Sequence, residues 1–534
     1  MFAMRIFHCQ HGWSNGFNRR RTPLFILGIL LLAFVLRVWG VTWGLPYVLH
    51  ADEPRYVNAA MQMFKTCDLN PRSYPYLSIN SFVYVINAAA LAPYYAVGWL
   101  SGAYHSRSDI SPPRMLTMGT GFTTDPGTFL LGRMVTVLFG TAAVFLLFLA
   151  GRELPTGTAV GLVAALLLAV SPSNVLHSKY ITPDEFLVFF FALAVWCSLR
   201  ILHREPTWGV YVLAGLAIGF AVSTKISAGL VVVPVAMGHF LRLGWRGFSN
   251  PRIYVAAAMS LAALVATTPF LLIDPIKVYQ DWRRETMHYS TGHAGMEGDT
   301  LKFYLSYLLF SEGPWCVLAV FGAVRGFMVR SRPLILLSFS GLLYFAFVSS
   351  FPVRNERTIL PLLPFLALLA AAFLSAAWEW SRRFGATVRW RAVRAALFSA
   401  AVVFVSIGFG KSALSDYHMV CPDACDLARE WIAQRLSPIT PKGTKVVLEA
   451  YSPYIDPQHF IPVVVTGLTQ HTAEWYRQNS CRFFIVTRKM YGRFQNEPKR
   501  YGKELAEYDN MFAKLKLVKV FNENNNEIRI YMLE

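Results

Sequence analysis

Charge is scarce in this sequence. Only 15% of its 534 residues are Asp, Glu, Lys or Arg, whereas 54% are hydrophobic and the mean hydropathy is +0.39. That balance excludes an ordinary water-soluble protein of this length. Cysteine is sparse too, at positions 9, 67, 197, 316, 421, 425 and 481. The scatter leaves only "HCQH" near the start as a metal-like motif, and it is isolated. There is no P-loop and no Rossmann glycine fingerprint, so no backbone cradle for a nucleotide is written in the chain. No internal repeat is evident, which leaves inverted-repeat transporter architecture without support. The first apolar stretch, "RRRTPLFILGILLLAFVLRVWGV", lacks a small-residue cleavage site and is too long for a signal peptide, so it reads as a signal-anchor helix.

What the chain has in abundance is apolar runs near the length that crosses a bilayer as a helix. Spans are expected at about 23–44, 129–150, 156–173, 185–202, 207–223, 227–242, 252–273, 302–324, 333–351, 358–379 and 394–411. The stretch 78–100, with Pro93, tyrosines and Trp99, is ambiguous. The net charge of +19 is concentrated in segments between apolar runs, notably 18–21, 242–252, 325–332 and 381–394. Such bases set topology rather than bind nucleic acid. All four fall on the cytoplasmic side if 78–100 does not span. The expectation is therefore an all-α polytopic bundle of about eleven spans plus outer-face interfacial helices, 78–100 among them. Its catalytic domain is expected to be 1–411, with a first outer loop at 46–128. A soluble α/β domain follows at 412–534, with a helix at "DLAREWIAQRL" and strands at "TKVVLEA", "FIPVVVTG", "RFFIVTR" and "EIRIYML". The outer side of the plasma membrane then holds the active site and the carboxyl end. "CPDAC", Cys421 to Cys425, has the spacing for a local disulfide in an oxidising compartment.

The polar residues of interest gather on that outer side. "VLHADEPRYVNAA" places Asp52 and Glu53 just past the first span, followed by Arg55. A solvated turn explains such a pair, and so does a general base tuned by a nearby low-dielectric surface. "HSKYITPDEFLVFFF" holds His177, Lys179, Tyr180 and Asp184. Here Thr182 and Glu185 fit a capping box with Pro183 at the first helical position, which leaves Asp184 without a local partner. Lys225 ends a span, where a snorkelling lysine is the plainer account. Arg354 and Arg357 stand outside against the usual charge bias, which favours an anionic partner such as phosphate. His288, His293, Glu297, Asp299 and Glu312 lie in one stretch with metal-binding residue types, or with incidental histidines in a glycine-rich loop. Carboxylates and cations on one side of a membrane suit a base that activates a hydroxyl and cations that hold an anionic leaving group.

The chain resembles the membrane-embedded GT-C glycosyltransferases that use polyprenyl-phosphate sugars, in particular protein O-mannosyltransferases and lipid A aminoarabinose transferases. The resemblance rests on "ADE" in a large first outer loop, "LLGRMVTVLFGTAAVFLLFLAGREL", "AALLLAVSPSNVLHSKYITPDEFLVFFFALA", "GLAIGFAVSTK" and "RTILPLLPFLALLAA". It implies inverting transfer of a sugar to a hydroxyl of a lipid, glycan or protein acceptor at the outer leaflet. Asp52 is then the base, with Glu53 and Asp184 in the acidic motif. Lys225 and Arg357 then lie near the lipid phosphate, and "GHAG" around His293 is similar to the family pattern without an assigned role. Arg354, Arg55, Tyr180 and His293 are further candidates for substrate binding. No cofactor is required by this scheme; a divalent metal ion stays open. The competing class is a transporter or flippase of lipid-linked sugars, which would place its acids within spans near the midplane.

Overall fold

The computed structural model describes residues 21–68 and 81–533, apart from 293, 386, 496 and 525. The motif around Cys9 and the candidate His293 lie outside the described residues. The amino-terminal part contains α1 (Thr22–Val38), β1 (Tyr47–Val48), α2 (Glu53–Thr66), α3 (Ser81–Leu100), β2 (Arg114–Thr117) and β3 (Thr120–Phe122). Then come α4 (Pro126–Gly151), α5 (Thr158–Ala169), α6 (Pro172–His177), α7 (Pro183–His203), α8 (Trp208–Thr224), α9 (Val232–Leu243) and α10 (Pro251–Thr267). The bundle finishes with α11 (Phe270–Ile273), α12 (Pro275–Thr291), α13 (Thr300–Tyr307), α14 (Trp315–Met328), α15 (Arg332–Ser349), α16 (Leu363–Arg382) and α17 (Val388–Val420). Among the described residues seven helices are long and apolar enough to cross a membrane, or eight if the bent pair around residue 313 is one span. Shorter apolar helices α1, α5, α8 and α10 stand beside them.

α7 is apolar on every side, and 72% of its spanning window is buried. A helix hydrophobic all round belongs at the centre of a bundle. It packs against α4, α8 and α9. Its Phe186 and Phe190 meet Phe82 of α3 and Phe139 of α4 edge to face. Thus α3, the ambiguous stretch, is a full helix long and apolar enough to span, lying along α2 and α4.

One expected span is corrected. The stretch 302–324 is not straight: Thr300–Glu312 and Trp315–Met328 meet at 115°. Gly313, at φ +122°, supplies a backbone conformation that other residues rarely adopt, and Pro314 follows. Glu312 turns inward at the bend, accepting from Ser171 Oγ at 2.7 Å and the Ser173 N–H at 3.1 Å. The last membrane helix also differs from expectation, running unbroken past residue 411 to Val420.

The tail contains α18 (Ala424–Trp431), β4 (Thr444–Leu448), β5 (Phe460–Val464), α19 (Ala473–Gln478), β6 (Cys481–Thr487), α20 (Arg488–Gln495), α21 (Gly502–Ala513), β7 (Lys516–Glu523) and β8 (Asn526–Met532). Its five strands order as β5-β4-β6-β8-β7, parallel among the first three and antiparallel after. The sequence pattern finds four of these strands; β7 escapes it because its side chains are nearly all exposed. The expected Cys421–Cys425 disulfide is absent, for both thiols are free. Asp423 and Asp426 cap α18 reciprocally, which carries Cys425 inward under Tyr451 O and away from the end of α17.

The tail docks on the first outer loop. β1, β3 and β2 form a small antiparallel sheet there. The Tyr451 N–H donates to Met118 O at 2.7 Å, and Thr120 Oγ1 to Ser452 O at 2.6 Å. Gly119, at φ +69°, allows this approach; a Cβ there would stand 2.6 Å from the Tyr451 ring.

Candidate active site

Asp52 is the N-cap residue of α2, yet its carboxylate makes no capping bond. It accepts instead from Arg357 Nη1 at 2.7 Å. Arg357 stands at the start of the 3-10 turn Glu356–Leu362, which Asn355 caps through the Arg357 N–H. Asp184 stands in the first turn of α7, 3.8 Å from Arg357 Nε and 3.5 Å from Lys225 Nζ. Lys225 closes α8, and its ammonium lies 5.6 Å from the Tyr289 ring centre. Four elements distant in sequence thus place Asp52, Arg357, Asp184 and Lys225 in one line of alternating charge.

The pairs along that line are incomplete. Asp184 is 1% exposed, but its Oδ2 has no hydrogen-bond partner, nor does Arg357 Nε. The two atoms face each other at 3.8 Å, an ion contact too long for a hydrogen bond, so each keeps its hydrogen-bonding capacity for another group. Burial raises the proton affinity of Asp52, but Arg357, His50 and Arg55 outweigh it and hold the carboxyl below its ordinary value. Lys225 is pushed the other way: burial disfavours its charge, while Tyr289 and Asp184 more than restore it. Both groups are charged at neutral pH.

The adjacent carboxylate has another fate. Glu53 is fully buried and forms a bidentate pair with Arg133, at 2.8 and 2.7 Å. The Ile181 N–H adds a third bond at 3.1 Å. Arg133 Nη1 donates to Val41 O and Trp43 O. Burial raises the Glu53 pKa, but Arg133, His50 and Ile181 together bring it below the ordinary range. The structure therefore directs Glu53 into the bundle, where it ties α2 to α4 and to the loop before α7.

The remaining candidates disperse. Arg354 Nη2 pairs with Glu497 of the tail at 2.7 Å. Arg55 Nε donates to Tyr84 Oη at 2.9 Å, alongside Asp52. Tyr180 stacks obliquely on His50 at 4.6 Å and meets Trp43 and His177 edge to face. Of the acids near His293, Glu297 binds Tyr501 of the tail, Asp299 caps α13, and Glu312 binds Ser171. The proposed capping box also fails. The Thr182 side chain caps nothing, and Glu185 accepts twice from Asn174 Nδ2, at 2.9 and 2.7 Å. Asn174 in turn receives the buried Arg37. Gly140 leaves space for this network, since a Cβ there would stand 2.7 Å from Glu185 Oε1 and 3.0 Å from Arg37 Nε.

Sequence reasoning missed Arg37, Arg133 and Asp416. Arg37 and Arg133 are charges within apolar runs, which is itself the signal that could have found them; Asp416 lies past the expected end of the last span and carries no such signal. Asp416, on α17, receives Lys179 at 2.5 Å with neither side chain exposed.

A family model described as dolichyl-phosphate-mannose-protein mannosyltransferase matches residues 115–290. The chain is 27% identical over 136 residues to dolichyl-phosphate-mannose–protein mannosyltransferase 4 of Saccharomyces cerevisiae, covering 24% of this chain and 17% of that protein. It is 30% identical over 105 residues to the corresponding enzyme 1 of Candida albicans, covering 19% and 12%. The match thus spans less than a fifth of either curated relative. In structure, ArnT from Cupriavidus metallidurans bound to undecaprenyl phosphate superimposes with a TM-score of 0.54 at 16% identity, over 96% of this chain and 97% of that one. The chain has the GT-C fold. The archaeal oligosaccharyltransferase AglB from Archaeoglobus fulgidus shares it, with a TM-score of 0.52 at 14% identity over 90% and 72%. Within the GT-C fold the family-model match contains Arg133, Tyr180, Asp184 and Lys225, whereas Asp52 and Arg357 lie outside it.

One AglB structure is a complex with zinc and sulfate. The residues of the present site do not fit a divalent ion. Arg357 stands between the two carboxylates, and no three His, Cys, Asp or Glu residues gather at metal-binding distance among the described residues.

Proposed function

We propose that the chain transfers a sugar from a polyprenyl-phosphate carrier to an acceptor hydroxyl at the outer leaflet of the plasma membrane, with inversion at the anomeric carbon. The observation that carries this reading is the line Asp52–Arg357–Asp184–Lys225 at one end of a GT-C bundle. The tail and first outer loop lie at the same end; with α3 read as an interfacial helix of that loop rather than a crossing, the basic loops fall at the opposite end, which supports the outside for this one. Acids at helix ends rather than at the midplane favour an enzyme over a carrier.

The donor phosphate is held by Arg357 and Lys225, two cations positioned by Asp184. Asp52 accepts the proton of the acceptor hydroxyl. The freed oxygen bonds to the anomeric carbon as the bond from that carbon to the phosphate oxygen breaks. The electron pair leaves with the polyprenyl phosphate, and the two cations stabilise its charge. Arg357 links the two halves of the reaction. Before the donor arrives it holds Asp52 at low proton affinity, which makes a weak base. A phosphate competing for the guanidinium relieves that hold and restores basicity where the acceptor binds.

The test is incubation of purified protein with labelled polyprenyl-phosphate sugars and membrane extracts. Label should pass to an acceptor with wild type and fail to pass with Asp52→Asn. Equal transfer by both proteins would overturn the assignment. Absence of transfer together with uptake of the lipid into vesicles would favour a flippase.

A further inference from the structure

His177 ends α6 and is 7% exposed, and its Nε2 has no hydrogen-bond partner. Its ring stands 6.1 Å from Tyr180, which in turn lies 4.6 Å from His50, whose Nδ1 accepts the Asp52 N–H. A row of three rings therefore runs beside the charged line, from the base to the end of α6. α6 packs on the 3-10 turn that carries Arg357. Thr182 Oγ1, in the loop that follows, is also buried without a hydrogen-bond partner. Buried polar atoms are ordinarily hydrogen-bonded, so His177 Nε2 and Thr182 Oγ1, five residues apart in one short stretch, call for a polar ligand.

The chemistry of that ligand follows from charge. Burial and the nearby Arg357 and His50 outweigh Asp184 and hold the His177 pKa down to about 4, so its imidazole is neutral. The cations suited to phosphate, Arg357 and Lys225, stand on Asp184. A neutral imidazole offers one donor and one acceptor, which is the complement of a sugar hydroxyl rather than of a phosphate. The Tyr180 ring beside it supplies an apolar face for sugar C–H groups.

We infer that His177 hydrogen-bonds a hydroxyl of the donor sugar and, with Tyr180, forms the sugar subsite of the active site. This rests on the donor assigned above, and the experiment separates the two. Three lipids are titrated into the detergent-solubilised protein: undecaprenyl phosphate, undecaprenyl-phosphate mannose and undecaprenyl-phosphate aminoarabinose. Wild type should bind at least one sugar-bearing lipid more tightly than undecaprenyl phosphate. His177→Phe should weaken that lipid about tenfold, the loss of one hydrogen bond, and leave undecaprenyl phosphate unchanged. His177→Asn, which keeps a donor and an acceptor, should recover part of the loss. Arg357→Ala should weaken all three lipids alike. If wild type binds none of the three, the donor assignment fails and the subsite with it. If wild type binds them but the His177 variants lose nothing, or lose undecaprenyl phosphate equally, His177 serves only the fold or a buried water and the inference is overturned.

Discussion

Asp52 and Glu53 are neighbours in sequence and opposites in structure. Glu53 meets Arg133 in a pocket where the side chains are 0% and 1% exposed, and every nitrogen of that guanidinium donates. Asp52 meets Arg357 with side chains 38% and 26% exposed, and Arg357 Nε makes no hydrogen bond, meeting Asp184 only at 3.8 Å. A saturated pair has no capacity left for substrate; it holds helices in register. An unsaturated pair can exchange partners, as the proposed cycle of donor binding and release requires. Burial and hydrogen-bond completeness, rather than the presence of charge, separate the scaffold from the site.

The sharpest way to break this comparison is to neutralise each acid alone. Asp52→Asn keeps the shape and removes the proton acceptor, so turnover should fall about 10²- to 10⁴-fold while the folded protein and lipid binding survive. Glu53→Ala should do the reverse. It strands Arg133 in the bundle and should cost about 3–5 kcal/mol of stability, read as a large drop in thermal midpoint and in folded yield. If Glu53→Ala folds normally but loses only turnover, the division between scaffold and site is wrong.

A smaller effect is expected at Arg357. Arg357→Lys should restore only part of the lipid affinity lost in Arg357→Ala, because an ammonium lacks the planar fork. Equal affinities for wild type and Arg357→Ala would remove the cation from the site.

A polar contact in the scaffold should cost less again. Glu185→Gln disturbs the bond to Asn174 and should lower stability by about 1–3 kcal/mol, measurable by thermal unfolding. It exceeds the loss of a helix cap because the group is buried against Asn174 and the Arg37 network.

The subtlest test is of pH. The Asp52 pKa is depressed, so its contribution to stability is complete above the unfolded value, about 4, and is lost as pH falls through the lower folded value. Activity should carry the same sign. The acid limb of kcat/KM, which reports free enzyme, should lie below that of kcat, which reports the donor complex where Arg357 is shared with phosphate. Coincident limbs would mean that Arg357 never leaves Asp52.

Particular residues show what was legible beforehand. The apolar runs located most of the helices because 20 residues of hydrocarbon leave no other stable backbone state. Alternation located β4, β5, β6 and β8, each with a buried face, and missed β7, which has almost none. The bend at Gly313 was missed because hydropathy is blind to direction. The capping box fails because the spacing permits a bond that Asn174, 11 residues earlier in the chain but adjacent in space, claims instead.

Sequence alone determined that this is a membrane-embedded helical bundle with a small mixed tail, and that its acids and exposed cations collect at one end. Those features follow from hydrophobicity and charge, which are properties of each residue and its near neighbours. Tertiary structure alone decided which of two adjacent carboxylates faces Arg357 and which is sealed by Arg133, that Asp184 bridges Lys225 and Arg357, and that Arg354 is engaged by the tail. Those outcomes depend on contacts between residues up to 305 positions apart. Partners at such separations are brought together by the packing of whole helices, and local pattern carries no record of them.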